Sequence, residues 1–414
     1  MERLVLINIA ELVTVSGFAA KKGKEMSQIG KINNAYVVIE NGKISSFGLQ
    51  KDYVQQSDEK VVDCMGKTVL PGLIDSHSHF VFGGYRADEF NWRLQGQKYM
   101  EIMSKGGGIA ATTTATKNAS KKELINSALG RLKLALSQGV TTMEGKSGYG
   151  LDLDTEIKQL EVMKELGDIQ DVDIVSTFMG AHAIPKGETT KDYVDFICDK
   201  VLPEVTKRKL AEFCDVFCEP NVFNNEMSKQ VLFKAKELGL KIKIHADEIV
   251  SIGGSEMAAE IGCTSADHLL QISDKAIKKL AESNTIATLL PLTAFCLKEH
   301  YAPARKLIDN GCAVAIATDL NPGSCHCQNI ALLIAISAIY MNMTIEEIIT
   351  ALTLNAAVAI GREKTIGSID IGKVADIIIL EWPSINYLPY HTASNSVVAV
   401  IKNGKIVFEH LEEF

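Results

Sequence analysis

Residues 71–84 read PGLIDSHSHFVFGG, a short apolar segment that runs into two histidines one residue apart. Alternate residues of a strand share a face. His77 and His79 therefore project together from the end of a strand spanning 68–76, TVLPGLIDS. That spacing lets both imidazoles coordinate one cation. Whether this end is a site or a surface depends on what stands beside it.

Seven further segments read as buried strands: GVTTMEG (139–145), VDIVSTFMG (172–180), CDVFCE (214–219), LKIKIH (240–245), TSADH (264–268), TIATLLP (285–291) and AVAIATD (313–319). Between them lie stretches of helical period at 121–139, 155–167 and 227–239, the last two ending in Gly167 and Gly239. Both glycines are expected to stop their helices in the left-handed conformation. Thr344 and Glu347 have the spacing of a capping box that opens a helix running to Gly361. Eight strands alternating with helices predict an α/β protein built on a (β/α)8, TIM-like barrel.

The two ends of the chain read differently. LVLINIAELVT (4–14) is followed by NAYVVIENGKISSFG (34–48), in which Asn41-Gly42 sits between alternating segments as a two-residue hairpin turn. The letters NGKI return at 403–406 inside SVVAVIKNGKIVFE, after another strand, KVADIIILEW, at 373–382. A small β-sandwich domain made from 1–68 plus 362–414 is expected, with the barrel at 69–361.

Composition narrows the function classes. The 414 residues are 46% hydrophobic and 23% charged, as in folded globular proteins and unlike disordered ones. Forty-three basic against 51 acidic side chains give a net charge of −8, which argues against nucleic acid as a partner. Nine scattered cysteines suit a reducing, cytoplasmic setting. MERLVLINIAELV reads as a strand and not as a signal peptide, and the apolar run 330–341 is too short to cross a membrane.

Barrels of this kind place their active sites at the C-terminal ends of the strands. The first polar residues there are His77 and His79, Glu144 and Tyr149, His182, Glu219, His245 with Glu248, His268, Thr293, and Asp319. Five of the nine histidines fall at such ends, which makes the site histidine-rich. His245 and Asp319 would complete, with His77 and His79, an N3O set for one metal ion, Zn2+ or Fe2+/Fe3+.

PGLIDSHSHFVFGG resembles the metal-binding opening of the amidohydrolase superfamily. TDLNPGS, LTLNAAVAIG and TIGSIDIGKVADIIIL resemble its closing segments. HFVFGGYRADEFNWRLQGQKYMEIMSKGGGI, TTMEGKSGYGLD, FMGAHAIP and IHADE are similar to the members that act in histidine degradation, and the likeness spans essentially the whole chain. It implies hydrolysis of the cyclic amide of 4-imidazolone-5-propanoate to N-formimidoyl-L-glutamate by a metal-activated water, with a homodimer as the common assembly. Asp319, Glu248 and His268 are then the catalytic candidates. Asp319 is ligand and base, Glu248 a proton carrier or a holder of the ring nitrogen, and His268 a polariser of the carbonyl; which of the three moves the proton stays open. Arg86 would anchor the substrate's propionate, with Tyr149, His182, Glu248, Asn321, Gly323 and Ser324 as further substrate contacts.

Two stretches depart from the superfamily's pattern: Cys325-His326-Cys327 replaces small or proline-rich residues, and Gly145 stands where a β-branched residue is usual. The first is expected to pack beside the site and not to bind a second metal. Gly106-Gly107-Gly108 has no lysine-serine pair after it, so it reads as a lid or linker and not a phosphate loop. Lys146 reads as a structural lysine, not a carbamylated one. A nucleobase deaminase would share the metal set but gain little from Arg86. A binuclear ring hydrolase would need a lysine where Cys218-Glu219-Pro220 stands, and a non-catalytic scaffold would not need the ligands.

Overall fold

The computed structural model describes residues 3–57, 59–97, 101 and 105–409. The strands, in chain order, are β1 (Arg3–Val13), β2 (Lys31–Glu40), β3 (Lys43–Leu49), β4 (Lys60–Asp63), β5 (Thr68–Pro71), β6 (Leu73–Asp75), β7 (Val140–Lys146), β8 (Asp173–Ala181), β9 (Phe213–Cys218), β10 (Lys241–Ile242), β11 (Ile244–Ala246), β12 (Ser265–His268), β13 (Ile286–Leu289), β14 (Val314–Ile316), β15 (Ile377–Leu380), β16 (Val397–Lys402) and β17 (Lys405–Glu409).

From β6 to β14 every pairing is parallel, in chain order, with β10 and β11 forming one interrupted barrel strand. The ring closes just past the ends of β6 and β14, where Ser78 bridges Leu320 in parallel. His79 N donates to the Leu320 carbonyl at 2.8 Å and Asp319 N to the His77 carbonyl at 3.0 Å. Helices cover the outside, and their sequences explain which face turns inward. In the helix Lys121–Ser137, Leu124, Ala128, Arg131, Leu132 and Ala135 are buried at helical spacing, and Ser120 with Glu123 forms a capping box. Gly239 takes the expected left-handed conformation (φ +89°), whereas Gly167 stays helical and Asp168 follows it in the right-handed region. The Thr344–Glu347 capping box forms, but the helix breaks at Thr353 into Ile345–Leu352 and Leu354–Ala359.

The stretch 68–76 is two strands and not one. β5 joins the terminal sheet, between β1 (parallel) and β15 (antiparallel), while β6 opens the barrel. Gly72 lies between them, and a Cβ there would stand 2.4 Å from Thr141 Oγ1, so the chain can cross only without a side chain.

The terminal sheet runs β17-β16-β15-β5-β1-β2-β3, with β4 on β1. It packs over a core of Leu6, Ile9, Val37, Ile39, Ile377, Ile379 and Ile401, and both termini build it, but as one continuous sheet and not the two facing sheets of the expected sandwich. The repeated NGKI letters acquire a structural meaning here. Asn41-Gly42 and Asn403-Gly404 are both turns with two positive φ angles, as two-residue hairpins require. They press against each other and join the opposite ends of the sheet: a Cβ on Gly42 would meet the Asn403 carbonyl oxygen at 2.8 Å, and one on Gly404 would meet Gly42 Cα at 2.8 Å. No helix among the described residues is long and apolar enough to cross a membrane.

Gly42→Val combines a strained φ with a backbone clash and should cost about 2–3 kcal/mol. Gly66→Ala, at φ +75° but with nothing within 4 Å, should cost about 1 kcal/mol. Calorimetric unfolding of both variants checks this; equal losses would remove the contact between the hairpins as the cause.

Candidate active site

At the C-terminal mouth of the barrel lies a cavity of about 510 Å³, lined among others by His79, Arg86, Tyr149, His182, His245, Glu248, His268, Asp319, Asn321, Gly323 and Ser324. The barrel seam brings the first ligand candidates together. Asp75, at the end of β6, accepts from Thr318 N (3.0 Å) and Thr318 Oγ1 (2.5 Å), which docks the residues after β14 against His77 and His79. Asp319 Oδ1 then stands 3.6 Å from His77 Nε2 and 3.9 Å from His79 Nε2. The His245 ring lies 4.5 Å from that of His77 between centroids. One ligand atom each from His77, His79 and His245 lies within 4.8 Å of the others, and the same holds for His77, His268 and Asp319.

These residues fit a metal ion on their own geometry. His77 Nε2 is fully buried with no hydrogen-bond partner, a cost that coordination would remove. The opposite nitrogens are held: Asp267 Oδ2 accepts from His77 Nδ1 at 2.6 Å, and Asp215 Oδ1 accepts from His245 Nδ1 at 3.0 Å. Those bonds set the tautomer that leaves Nε2 of both rings facing inward. Neither carboxylate was singled out in the sequence. The available signal was an acid inside an otherwise apolar barrel strand, a residue type that is seldom fully buried unless paired.

Other strand-end residues fall elsewhere than expected. Glu144 points into the barrel, bonded to Lys243 (2.6 Å) and Lys146 (3.1 Å), and takes no part in the cavity. Glu219 accepts from the Ile249 and Val250 amides and so ties down the loop that carries Glu248. Thr293 donates to Asp319 Oδ2 at 2.6 Å. Among the described residues Cys325, His326 and Cys327 form no ligand group. The Cys325 thiol rests against the Thr318 carbonyl, and His326 packs on Tyr85 and Phe82. Gly145 also finds its reason, because a Cβ there would meet the Phe80 ring at 2.6 Å. Lys146, saturated by carboxylates inside the barrel, has no free amine for carbamylation.

On the substrate side, Arg86 presents Nε and Nη2 to both oxygens of Glu89 (3.0 and 2.8 Å). Glu89 also accepts from Gly108 N at 3.0 Å, which ties the Gly106–Gly108 segment to this pair. Gly323 makes room for the guanidinium, since a Cβ there would lie 2.2 Å from Arg86 Nη1. A second cation, Arg93, was not foreseen; it lines the same cavity and donates to the Gly323 carbonyl at 2.7 Å. The Asn321 side chain organises the turn: Oδ1 accepts from the Gly323 and Ser324 amides, and Nδ2 donates to the Asp319 carbonyl.

Tyr149 sits on a loop gathered by the buried Glu156 carboxylate, which accepts from the amides of Gly148, Gly150 and Leu151. His182 Nδ1 donates to the Gly148 carbonyl at 3.2 Å, and its ring stacks on His79 at 5.0 Å. His268 Nε2 stands 3.5 Å from Glu248 Oε2. Burial, followed by the Asp319 charge, pushes the Glu248 carboxyl up to about 8. Asp247, His268, Leu269 and Asp319 all adopt positive φ without being glycine, a concentration of backbone strain typical of functional sites.

Comparison with known proteins agrees with this arrangement. Residues 68–407 match the amidohydrolase family. The chain is 54% identical to the imidazolonepropionase of Clostridium tetani over 98% of both chains. It is 53% identical to that of Porphyromonas gingivalis, covering 98% of this chain and 97% of the other. Among solved structures, a zinc-bound adenosine deaminase from Xanthomonas campestris superposes with a TM-score of 0.71 over 99% of this chain and 94% of its own, at 17% identity, a likeness of fold alone.

Glu248 gives a pH prediction. Its folded-state pKa, about 8, lies above the ordinary 4.5, so the neutral form's contribution is complete at low pH and is lost as pH rises through about 8. In metal-free protein, Glu248→Gln should therefore gain Tm relative to wild type as pH rises from 5 to 9 (roughly the window these values bracket). A Tm difference independent of pH would show that Glu248 is not held neutral.

Proposed function

The chain belongs to the amidohydrolase family and, within it, to the imidazolonepropionases, and from that membership we propose that it opens the ring amide of 4-imidazolone-5-propanoate to give N-formimidoyl-L-glutamate. It is a metal-dependent hydrolase of histidine degradation. The observation that carries the reading is the convergence of His79, His245 and Asp319 in one cavity that also holds Arg86, with the buried His77 directly beneath them, its Nε2 3.6 Å from Asp319 Oδ1.

His77, His79, His245 and Asp319 would hold one divalent ion, zinc or iron, since three imidazoles and a carboxylate suit either. When bound, such an ion supplies Lewis acidity and a nucleophile at neutral pH. The chain's own residues do the rest. Arg86 exchanges its internal partner Glu89 for the substrate's propionate, which meets the guanidinium in the same two-point fashion. Tyr149 and His182 face the ring, with Gly323 and Ser324 on the turn that Asn321 holds. Asp319 takes the proton of the attacking water, while Glu248, held neutral, gives its own to the departing ring nitrogen and is recharged from Asp319. His268, beside Glu248, donates to the carbonyl oxygen as negative charge builds there. A cytoplasmic homodimer belongs to the same reading. Nine free thiols support the reducing compartment, and light scattering checks the assembly against twice the 45.1 kDa chain mass.

Metal-loaded protein mixed with 4-imidazolone-5-propanoate should abolish its ultraviolet absorbance and yield N-formimidoyl-L-glutamate by mass spectrometry. No turnover with stoichiometric zinc or iron would sink the assignment. Arg86→Met should raise KM by about 10–100-fold, as expected for losing a charge-assisted pair, with a smaller effect on kcat. An unchanged KM would remove Arg86 as the anchor.

A further inference from the structure

Inside the barrel, on the side of the imidazoles away from the cavity, five charged side chains are fully buried: Glu144 and Lys146 on β7, Asp215 on β9, Lys243 just before β11 and Asp267 on β12. Taking so many charges out of water costs several kcal/mol per ion even after relaxation, and apolar residues of similar volume often fill such a space with no loss of stability. What the charges add over an apolar filling is direction, and two of them use it. Asp215 bridges, its Oδ1 on His245 Nδ1 at 3.0 Å and its Oδ2 on Lys146 Nζ at 2.7 Å. Asp267 Oδ2 receives His77 Nδ1 at 2.6 Å and stands 3.6 Å from the same Lys146 Nζ. A single ammonium thus touches both carboxylates that orient two of the ligand imidazoles.

The second lysine makes a built-in comparison. Lys243 is equally buried, yet its Nζ bonds Glu144 Oε2 (2.6 Å) and the Ser76 carbonyl (3.2 Å), with no ion pair to Asp215 or Asp267. Glu144 joins the two lysines and also accepts from Thr177. Burial alone would lower the Lys146 pKa, but Asp215, Glu144 and Asp267 outweigh it and raise it, so the side chain remains a fixed cation.

We propose that Lys146 is a positioning residue for the metal: by clamping Asp215 and Asp267 it holds both as acceptors for Nδ1 of His245 and His77, so that both rings present Nε2 to one ion. This rests on the ligand set put forward above and adds to it a residue that touches neither metal nor substrate. Without the ammonium, the two carboxylates repel each other inside a low-dielectric barrel. One of them must then rotate away, and its histidine loses the acceptor that fixes it.

The test measures zinc affinity of the full-length protein by competition with a chromophoric chelator, beside the visible spectrum of cobalt(II)-substituted protein. Lys146→Met should weaken zinc binding by about 10–100-fold, the range for lost partners behind metal-bound histidines, and change the cobalt bands. Lys243→Met, which removes as much buried charge, should stay within about threefold of wild type, because its ammonium bonds Glu144 and not Asp215 or Asp267 and acts on Asp267 only at longer range. If Lys146→Met does not fold, the double variant Lys146→Met/Glu144→Gln keeps the charge balance of the barrel interior and should show the same loss. Wild-type zinc affinity in either folded variant, or an equal loss in Lys243→Met, overturns the positioning role. Failure of the wild-type protein itself to take up zinc or cobalt would instead overturn the ligand set beneath it.

Discussion

The seam where β14 meets β6 is the constraint on which the rest of the molecule depends. The two strand ends are locked by one carboxylate, Asp75, on Thr318, 243 positions further along the chain, and by backbone bonds from Asp319 to His77 and from His79 to Leu320. Closing the barrel and building the site are one event, because the residues that close the ring are also the ligand candidates. Side chains alternate along a strand, so a slip of one residue in this register would turn Asp319 away from His77 and His79. The strength of the seam is therefore also the accuracy of the site.

The strands and the histidines at their ends were legible because a parallel barrel has a direction. Every strand delivers its C-terminal residue to the same mouth, and a reader need only look there. The partners of those histidines were not legible. Asp267 serves a histidine 190 residues away and Asp215 one 30 residues away, pairings that depend on which strands become neighbours across the barrel and on which face each acid takes. Glu144 misled for a related reason: it is polar and near a strand end, but its side of the pleat faces inward. The break at Gly72 was hidden because both halves of 68–76 are equally apolar, and only the crowding of Thr141 requires them to part. Arg86 lay between these cases. Its place at the site was implied by the family resemblance, since a lone loop arginine is usually solvated, and its internal pairing with Glu89, three residues on, had no signal in the sequence.

The chain carries a net charge of −8, a poor starting point for attracting a carboxylate over long distances. Arg86 and Arg93 supply positive charge where the cavity needs it, and Glu89 holds the Arg86 fork in place. That two-point bond keeps the guanidinium from wandering into solvent, and under the function proposed above little rotamer freedom would remain to be lost on meeting a substrate carboxylate.

The terminal sheet imposes an order on synthesis. β5 lies between β1, made before it, and β15, made some 300 residues later. Every barrel strand has been synthesised by residue 316, well before β15 begins at Ile377, so the barrel can close while the sheet beside it still has an open edge at β5. That edge is a row of unpaired amides and carbonyls, available to any other nascent chain nearby. The first sheet to be started is the last to be completed, and a ribosome stalled between the barrel and β15 would leave a closed barrel attached to a sticky half-sheet.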